Sequence, residues 1–383
     1  MVVLRFSASK VALVTGLHDF GDVAEELLDC VYQDRAQLLA RDAARLRLRL
    51  VSKDEELELL VHKSGAAAAS QLRAALRWAE DRAAPAHVEA AQRLLAGVDK
   101  RLAEAQKSER LARDEAQAVR KLLAEKIHTS VGARNESLAL EAYERQTGAK
   151  VRLTNEHFYL LTFPAPSGAD SVGEEAEEPL LDYALLAGQS QRTVVRKRRP
   201  PRRAPESAGT VDLTTGGGAG EDGQDETESP DGYFSICGMV DGVADALTIS
   251  ADDEWGLAPL VVEVKNRMRG FRIPPPLYDH IQLAVYMKML GVERGDLVQC
   301  IYGADPRPSI QVSRVSLGVA PLRLPATSAA QERDIWTEVI VPRLYAFTTT
   351  VQKLRNNELL RLAFLNGTEQ ERLAIVRAEC DFL

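Results

Sequence analysis

The chain has 383 residues, 45% of them hydrophobic and 27% charged, and a formal net charge of −8. This is the size and balance of an ordinary globular protein able to bury a sizeable core in one large domain or two. No apolar run approaches the roughly 20 residues that span a bilayer, so no membrane partner is expected.

The opening stretch, MVVLRFSASKVALVTG, is too polar and interrupted for a secretory segment and is expected to belong to the fold. Cys30, Cys237, Cys300 and Cys380 are scattered, with no CxxC pair. Neither a zinc site nor a disulfide framework is supported, and the setting implied is reducing and intracellular, nuclear and cytoplasmic being equally open. The net acidity does not advertise a nucleic-acid binder, yet a binding groove needs only a local basic surface. Some of the acid is segregated into two stretches, 174–178 and 221–231.

In chain order, residues 1–50 show roughly helical apolar spacing after SASK. Residues 51–128 are rich in Ala, Leu, Glu, Arg and Lys, the composition of long amphipathic helices, with Pro85 marking a turn between two of them. A helical hairpin packed on the core is expected there, a coiled-coil partner site being the alternative. A new helix is predicted from Gly132, with Leu138, Ala142 and Tyr143 on one face and Gly148 as its stop. Two strand-like runs, KVRLT and HFYLLTF, lead to residues 164–232, which combine Pro, Gly, acidic clusters and the basic run RTVVRKRRPPRR. Such a composition buries little apolar surface, and this span reads as a long flexible insertion between two strands, with DYALLAG a candidate short helix. The basic run fits an import signal, a nucleic-acid tether or a charged linker. Beyond it come ICGMVDGVADAL and LVVEVK as strands, HIQLAVYMKMLG as a helix, LVQCIYG and SIQVSRVSL as strands, and helices from about Ala329. The order implies a mixed α/β core. The chain thus divides into a helical region (1–128), a first core segment (129–163), the insertion (164–232) and the main core (233–383).

The chemistry concentrates in 236–265. Asp241 lies in one apolar run, and Glu263 and Lys265 lie two apart in the next, so they emerge on one face while Val264 points to the other. If the two runs are neighbours, Asp241 joins them. Charges inside a run such as LVVEVK need a reason, since a buried unpaired charge is costly. Two carboxylates and an amine at one point suit a hard cation beside a proton handler.

These residues resemble the PD-(D/E)xK nuclease superfamily. Gln282 and Tyr286 match the QxxxY element of its RecB-type and phage-lambda-exonuclease-like branches, and RNESLALEAYERQTG is similar to the upstream helix of the latter. SASKVALVTGL and IWTEVIVPRLYAF resemble, more loosely, its opening Ser-containing segment and its closing helix. A second Asp-Gly at Asp231 sits at the edge of the low-complexity span and further from Glu263, which favours Asp241.

The resemblance implies a restriction-endonuclease-like α/β core and Mg²⁺-dependent hydrolysis of DNA, with Mn²⁺ as substitute. In that reading Asp241, Glu263 and the Val264 carbonyl ligate the metal, and Glu136 approaches from its helix. Lys265 orients or deprotonates water, or stabilises phosphate charge, and Gln282 and Tyr286 line the site. Arg267, Arg269 and Arg272 directly follow the Lys strand and are candidates to hold phosphates, as is Ser9 with Ser7; a solvated loop and a helix cap are the plainer alternatives. Exonucleolytic digestion in recombination or repair is the expected mode. A structure-specific endonuclease and a non-cutting nucleic-acid binder are the other readings, and a homo-oligomer is an open expectation.

Overall fold

The computed structural model describes residues 3–81, 86–166, 192–197, 232–249, 255–303, 307–316, 320–322 and 331–383. Pro85, DYALLAG, Asp231 and most of the insertion lie outside them.

The architecture is mixed α/β, with two mixed sheets and three apolar clusters. β1 (Leu4–Ser7) passes through a tight turn (Ala8–Lys10) into α1 (Val11–Val14), followed by α2 (Val23–Tyr32) and α3 (Ala36–Leu46). Then come α4 (Lys53–Lys63), α5 (Ala66–Glu80), α6 (Val88–Lys107) and α7 (Arg113–Thr147). Ser52 starts α4 with a capping box, its hydroxyl accepting from the Glu55 N–H while Glu55 reaches back to the Ser52 N–H.

Instead of a hairpin, α4 to α6 and the first half of α7 form a four-helix cluster around Leu57, Leu72, Val98, Leu123 and Ile127. Nor does a helix begin at Gly132: α7 runs unbroken for 35 residues, about 50 Å. The proposed division at 128 falls inside it. Its second half packs Ala139, Leu140 and Tyr143 on a sheet, while Leu138 is only half-buried. Gly148 ends the helix at φ 73°, as expected.

β2 (Val151–Arg152) and β3 (His157–Phe163) enter different sheets. β4 (Arg192–Lys197), read from sequence as part of a flexible basic run, pairs antiparallel with β3. On its other side β3 pairs with β5 (Phe234–Gly238), Phe163 opposite Phe234, and β5 pairs parallel with β1. The span 164–232 therefore leaves from one strand and returns in its neighbour.

The second sheet has the order β2, β6 (Gly242–Ile249), β7 (Trp255–Arg267), β8 (Arg294–Ile301), β9 (Ser309–Ser316). The run ICGMVDGVADAL is thus two strands in two sheets, and Asp241 occupies the turn between them rather than a strand. β7 and β8 are parallel, joined by α8 (Leu277–Leu290). Leu260, Val262 and Val264 of β7 pack toward α7, and Val261 packs toward α8, so period-two alternation sends Glu263 and Lys265 to the α8 side. After β10 (Ala320–Leu322) and β11 (Gln331–Arg333), a wide helical turn at Trp336–Ile340 leads into α9 (Val341–Asn356), α10 (Glu358–Asn366) and α11 (Glu369–Glu379). A strand at 331–333 thus precedes the closing helices. All four cysteines are free thiols. Among the described residues, no helix is long and apolar enough to cross a membrane.

Candidate functional site

The site forms where the start of β6, the middle of β7 and the first half of α8 meet. Gly242 is in register with Val262, which places Asp241 beside Glu263. Asp241 Oδ2 accepts from the Val264 N–H at 2.7 Å, tying the turn to β7. Val264 meets the site through this N–H while its side chain packs toward α7. Lys265 Nζ donates to Glu263 Oε1 at 2.9 Å and to Gln282 Oε1 at 2.7 Å. The predicted trio and Gln282 are therefore together.

Glu136 reaches the same place from α7. Its carboxylate accepts from the Asn155 side-chain amide, and the Asn155 N–H donates to the Val240 carbonyl at 3.2 Å, next to Asp241. Asn155 sits at φ 50°, a left-handed conformation that Asn tolerates better than most residues. Sequence reasoning missed it; its only signal was a TN step between two strands.

The electrostatics are those of crowded buried carboxylates. Burial and then the neighbouring Asp241 push Glu263 up, against the pull of Lys265. Asp241 is pushed up by burial and by Glu136, and Glu136 by burial and Glu263, with the Asn155 bond opposing. Burial alone would make Lys265 lose its proton more easily, but Glu263, Asp279 and Asp241 outweigh it and hold the ammonium. Of the roles left open for Lys265, taking a proton from water is thus the one this arrangement does not favour.

Among the described residues, no group of three His, Cys, Asp or Glu side chains already stands at metal-ligating spacing. Each carboxylate is turned to another partner: Glu263 to Lys265, Asp241 to the Val264 N–H, Glu136 to Asn155. One oxygen breaks the pattern. Glu263 Oε2 is buried with no hydrogen-bond partner, while Oε1 carries the contact with Lys265. Carboxylate oxygens are hard donors, and this one, lacking a partner, fits Mg²⁺ or Mn²⁺.

Tyr286 is 5% exposed and lies against Gly238, where a Cβ would stand 2.9 Å from its ring. It reaches the site through a hydrogen bond with Gln282 and presents little surface to a substrate. Arg267 also departs from expectation. It is bonded to the buried Asp279 and to Gln299 Oε1 at 2.9 Å, so it fastens β7 to α8 rather than waiting for a phosphate. Arg269 and Arg272 are exposed, Arg272 donating to the Tyr278 hydroxyl at 2.6 Å. Ser7 and Ser9 are exposed, their hydroxyls 3.1 Å apart, and Ser7 caps no helix through its side chain.

No family model matches the chain, and no curated protein or solved structure is detectably similar to it.

Proposed function

We propose that this chain is a metal-dependent nuclease that hydrolyses DNA phosphodiester bonds, on a restriction-endonuclease-like core. The observation that carries the reading is the convergence of Asp241, Glu263, Lys265 and Gln282 around the unpartnered, buried Glu263 Oε2. The resemblance to PD-(D/E)xK nucleases supports it, because the residues that carry the resemblance are the ones brought together.

Asp241, Glu263 and Glu136 would hold Mg²⁺, which supplies Lewis acidity toward a phosphate and a more acidic bound water. The chain's own contribution is positional. Lys265, kept as an ammonium, sets a fixed positive charge where negative charge develops on phosphate, and a buried setting strengthens it. Gln282 accepts from Nζ and fixes its direction. The Val264 N–H orients Asp241, and Asn155 orients Glu136.

Purified protein is incubated with linear and closed-circular DNA, in Mg²⁺ and in chelator, beside Lys265→Ala. Mg²⁺-dependent loss of linear DNA alone, abolished by the substitution, is the expected outcome for an exonuclease. Cutting of the circle would assign an endonuclease. Activity indifferent to Lys265→Ala would remove the site assignment. The mutual neutralisation of Glu263 and Lys265 at 2.9 Å favours one other reading, a nucleic-acid binder that does not cut. Absence of cutting on every substrate would select it.

A further inference from the structure

α7 carries Glu136 directly after a buried amide. Asn135 is 1% exposed, and its side chain makes two hydrogen bonds to one residue between α5 and α6. Its Oδ1 accepts from the Ala86 N–H at 2.9 Å, and its Nδ2 donates to the Ala86 carbonyl at 2.7 Å. Further bonds hold the same turn. Tyr302, just past β8, donates its hydroxyl to the Asn135 carbonyl at 2.7 Å, and Asn266 of β7 donates its amide to the Gly132 carbonyl at 2.9 Å. In an α-helix that carbonyl also accepts from the Glu136 N–H. Arg134 adds a bond to the Trp78 carbonyl at 3.3 Å and lies over the Trp78 ring.

Neither helix formation nor burial calls for this arrangement. Asn is a poor residue for a helix interior, and a buried amide costs free energy unless it is hydrogen-bonded. An apolar side chain would pack the turn without that cost. Apolar contact, however, is non-directional. The anchors of α7, Leu123 and Ile127 on one side and Leu140 and Tyr143 on the other, fix its rotation less sharply than directed bonds do. Rotation matters here. A carboxylate about 5–6 Å from the axis moves about 1 Å when the helix turns by about 10°. That exceeds the roughly 0.5 Å within which a functional group has to be held.

The supports stand beside the site. Asn266 follows Lys265, and alternation along β7 sends it to the α7 side while Lys265 faces α8. One strand therefore holds Lys265 on one face and the Glu136 turn on the other. Burial, then Cys300 and Glu136, push the Tyr302 phenol up, so it remains a donor.

We propose that Asn135 is a positioning residue for the carboxylate site. By clamping its turn of α7 to Ala86 it sets the direction of Glu136 toward Asp241 and Glu263, with Tyr302 and Asn266 as supports. The inference rests on the nuclease reading, in which Glu136 helps hold the cation, and Asn135 acts through Glu136 without touching metal or substrate.

The test is calorimetric titration of the full chain with Mg²⁺ alone. Asn135→Ala is expected to weaken binding about 10- to 100-fold. Tyr302→Phe, which removes one hydroxyl and keeps the ring, is expected to weaken it by less. Circular dichroism melts establish that each variant is folded; if Asn135→Ala is not, Tyr302→Phe decides the matter. In a Glu136→Gln background neither change should weaken Mg²⁺ binding further, whereas a general loss of structure would. Unchanged affinity in the folded variants, or a loss of the same size in both backgrounds, overturns the positioning role. Mg²⁺ binding that is weakened by Glu136→Gln but not by Asn135→Ala or Tyr302→Phe leaves the nuclease reading standing. An unaltered chain that neither binds Mg²⁺ nor cuts any substrate overturns the nuclease reading and the positioning role with it.

Discussion

Lys265 Nζ donates to Gln282 Oε1 at 2.7 Å while also donating to Glu263, so one ammonium joins strand β7 to helix α8. Of its two partners only Gln282 is neutral, and only Gln282 can be changed without unbalancing charge. Gln282→Ala is expected to lower turnover about 10- to 100-fold, the range seen when a group orienting a catalytic residue is lost. The unfolding midpoint should move little, because Gln282 is only partly buried. Unchanged turnover would remove Gln282 from the site.

Asn155 offers a separable test. Gly tolerates φ near 50° as Asn does, so Asn155→Gly keeps the turn and deletes only the amide that holds Glu136. Mg²⁺ affinity, read by calorimetry, is expected to fall about 10-fold. In a Glu136→Gln background the same change should have no further effect. An equal loss in both backgrounds would mean that Asn155 does not act through Glu136.

The raised carboxylates set a pH dependence of definite sign. Asp241 is pushed up to about 6 and Glu263 to about 8, against ordinary values of 3.8 and 4.5. Between these limits the folded protein binds protons that the unfolded chain has released. Metal-free stability therefore falls as pH rises from about 4 toward 8. Mg²⁺ should offset this loss, and its stabilising effect should grow over the same interval. Urea midpoints at several pH values, with and without Mg²⁺, measure both; a metal-free midpoint that rises with pH in this window contradicts the assignment.

Arg267 and Arg269 are two residues apart and should behave oppositely. Arg267→Ala leaves Asp279 buried and unpaired, at a cost of about 3–5 kcal/mol in unfolding free energy. Arg269→Ala should leave stability within about 0.5 kcal/mol and reduce the salt slope of DNA binding instead. Equal stability in the two variants would show that the Arg267–Asp279 pair does not fasten α8.

Gly238 gives the Tyr286 ring its place. A methyl group there meets ring carbon at 2.9 Å and the hydroxyl at 3.0 Å, so Gly238→Ala should cost about 1–3 kcal/mol. Because Tyr286 supports Gln282, turnover should fall with it. An unperturbed melting temperature would mean the ring has room to move.

The site was legible where its logic is local. Period two placed Glu263 and Lys265 on one face of β7, and helical spacing aligned Gln282 with Tyr286. Asp241 was found for a partly mistaken reason, since a continuous apolar run concealed the passage from one sheet to another; both strands have buried residues, and burial erases the periodicity that marks a boundary. Gly132 was read as a helix start, and glycine does weaken helix interiors, by about 1 kcal/mol. Packing at both ends of α7 outweighs that cost. Asn155 and Asp279 were missed because their importance lies in partners 19 and 12 residues away, pairings set only by tertiary structure.

The unbroken α7 makes the bundle and the carboxylates one mechanical piece. Any cut between Arg113 and Thr147 severs a rod anchored by Leu123 and Ile127 at one end and by Leu140 and Tyr143 at the other. Trimming the first 128 residues therefore removes half the lever that holds Glu136. A partner that tilts the helical cluster shifts that carboxylate against Asp241 without touching either.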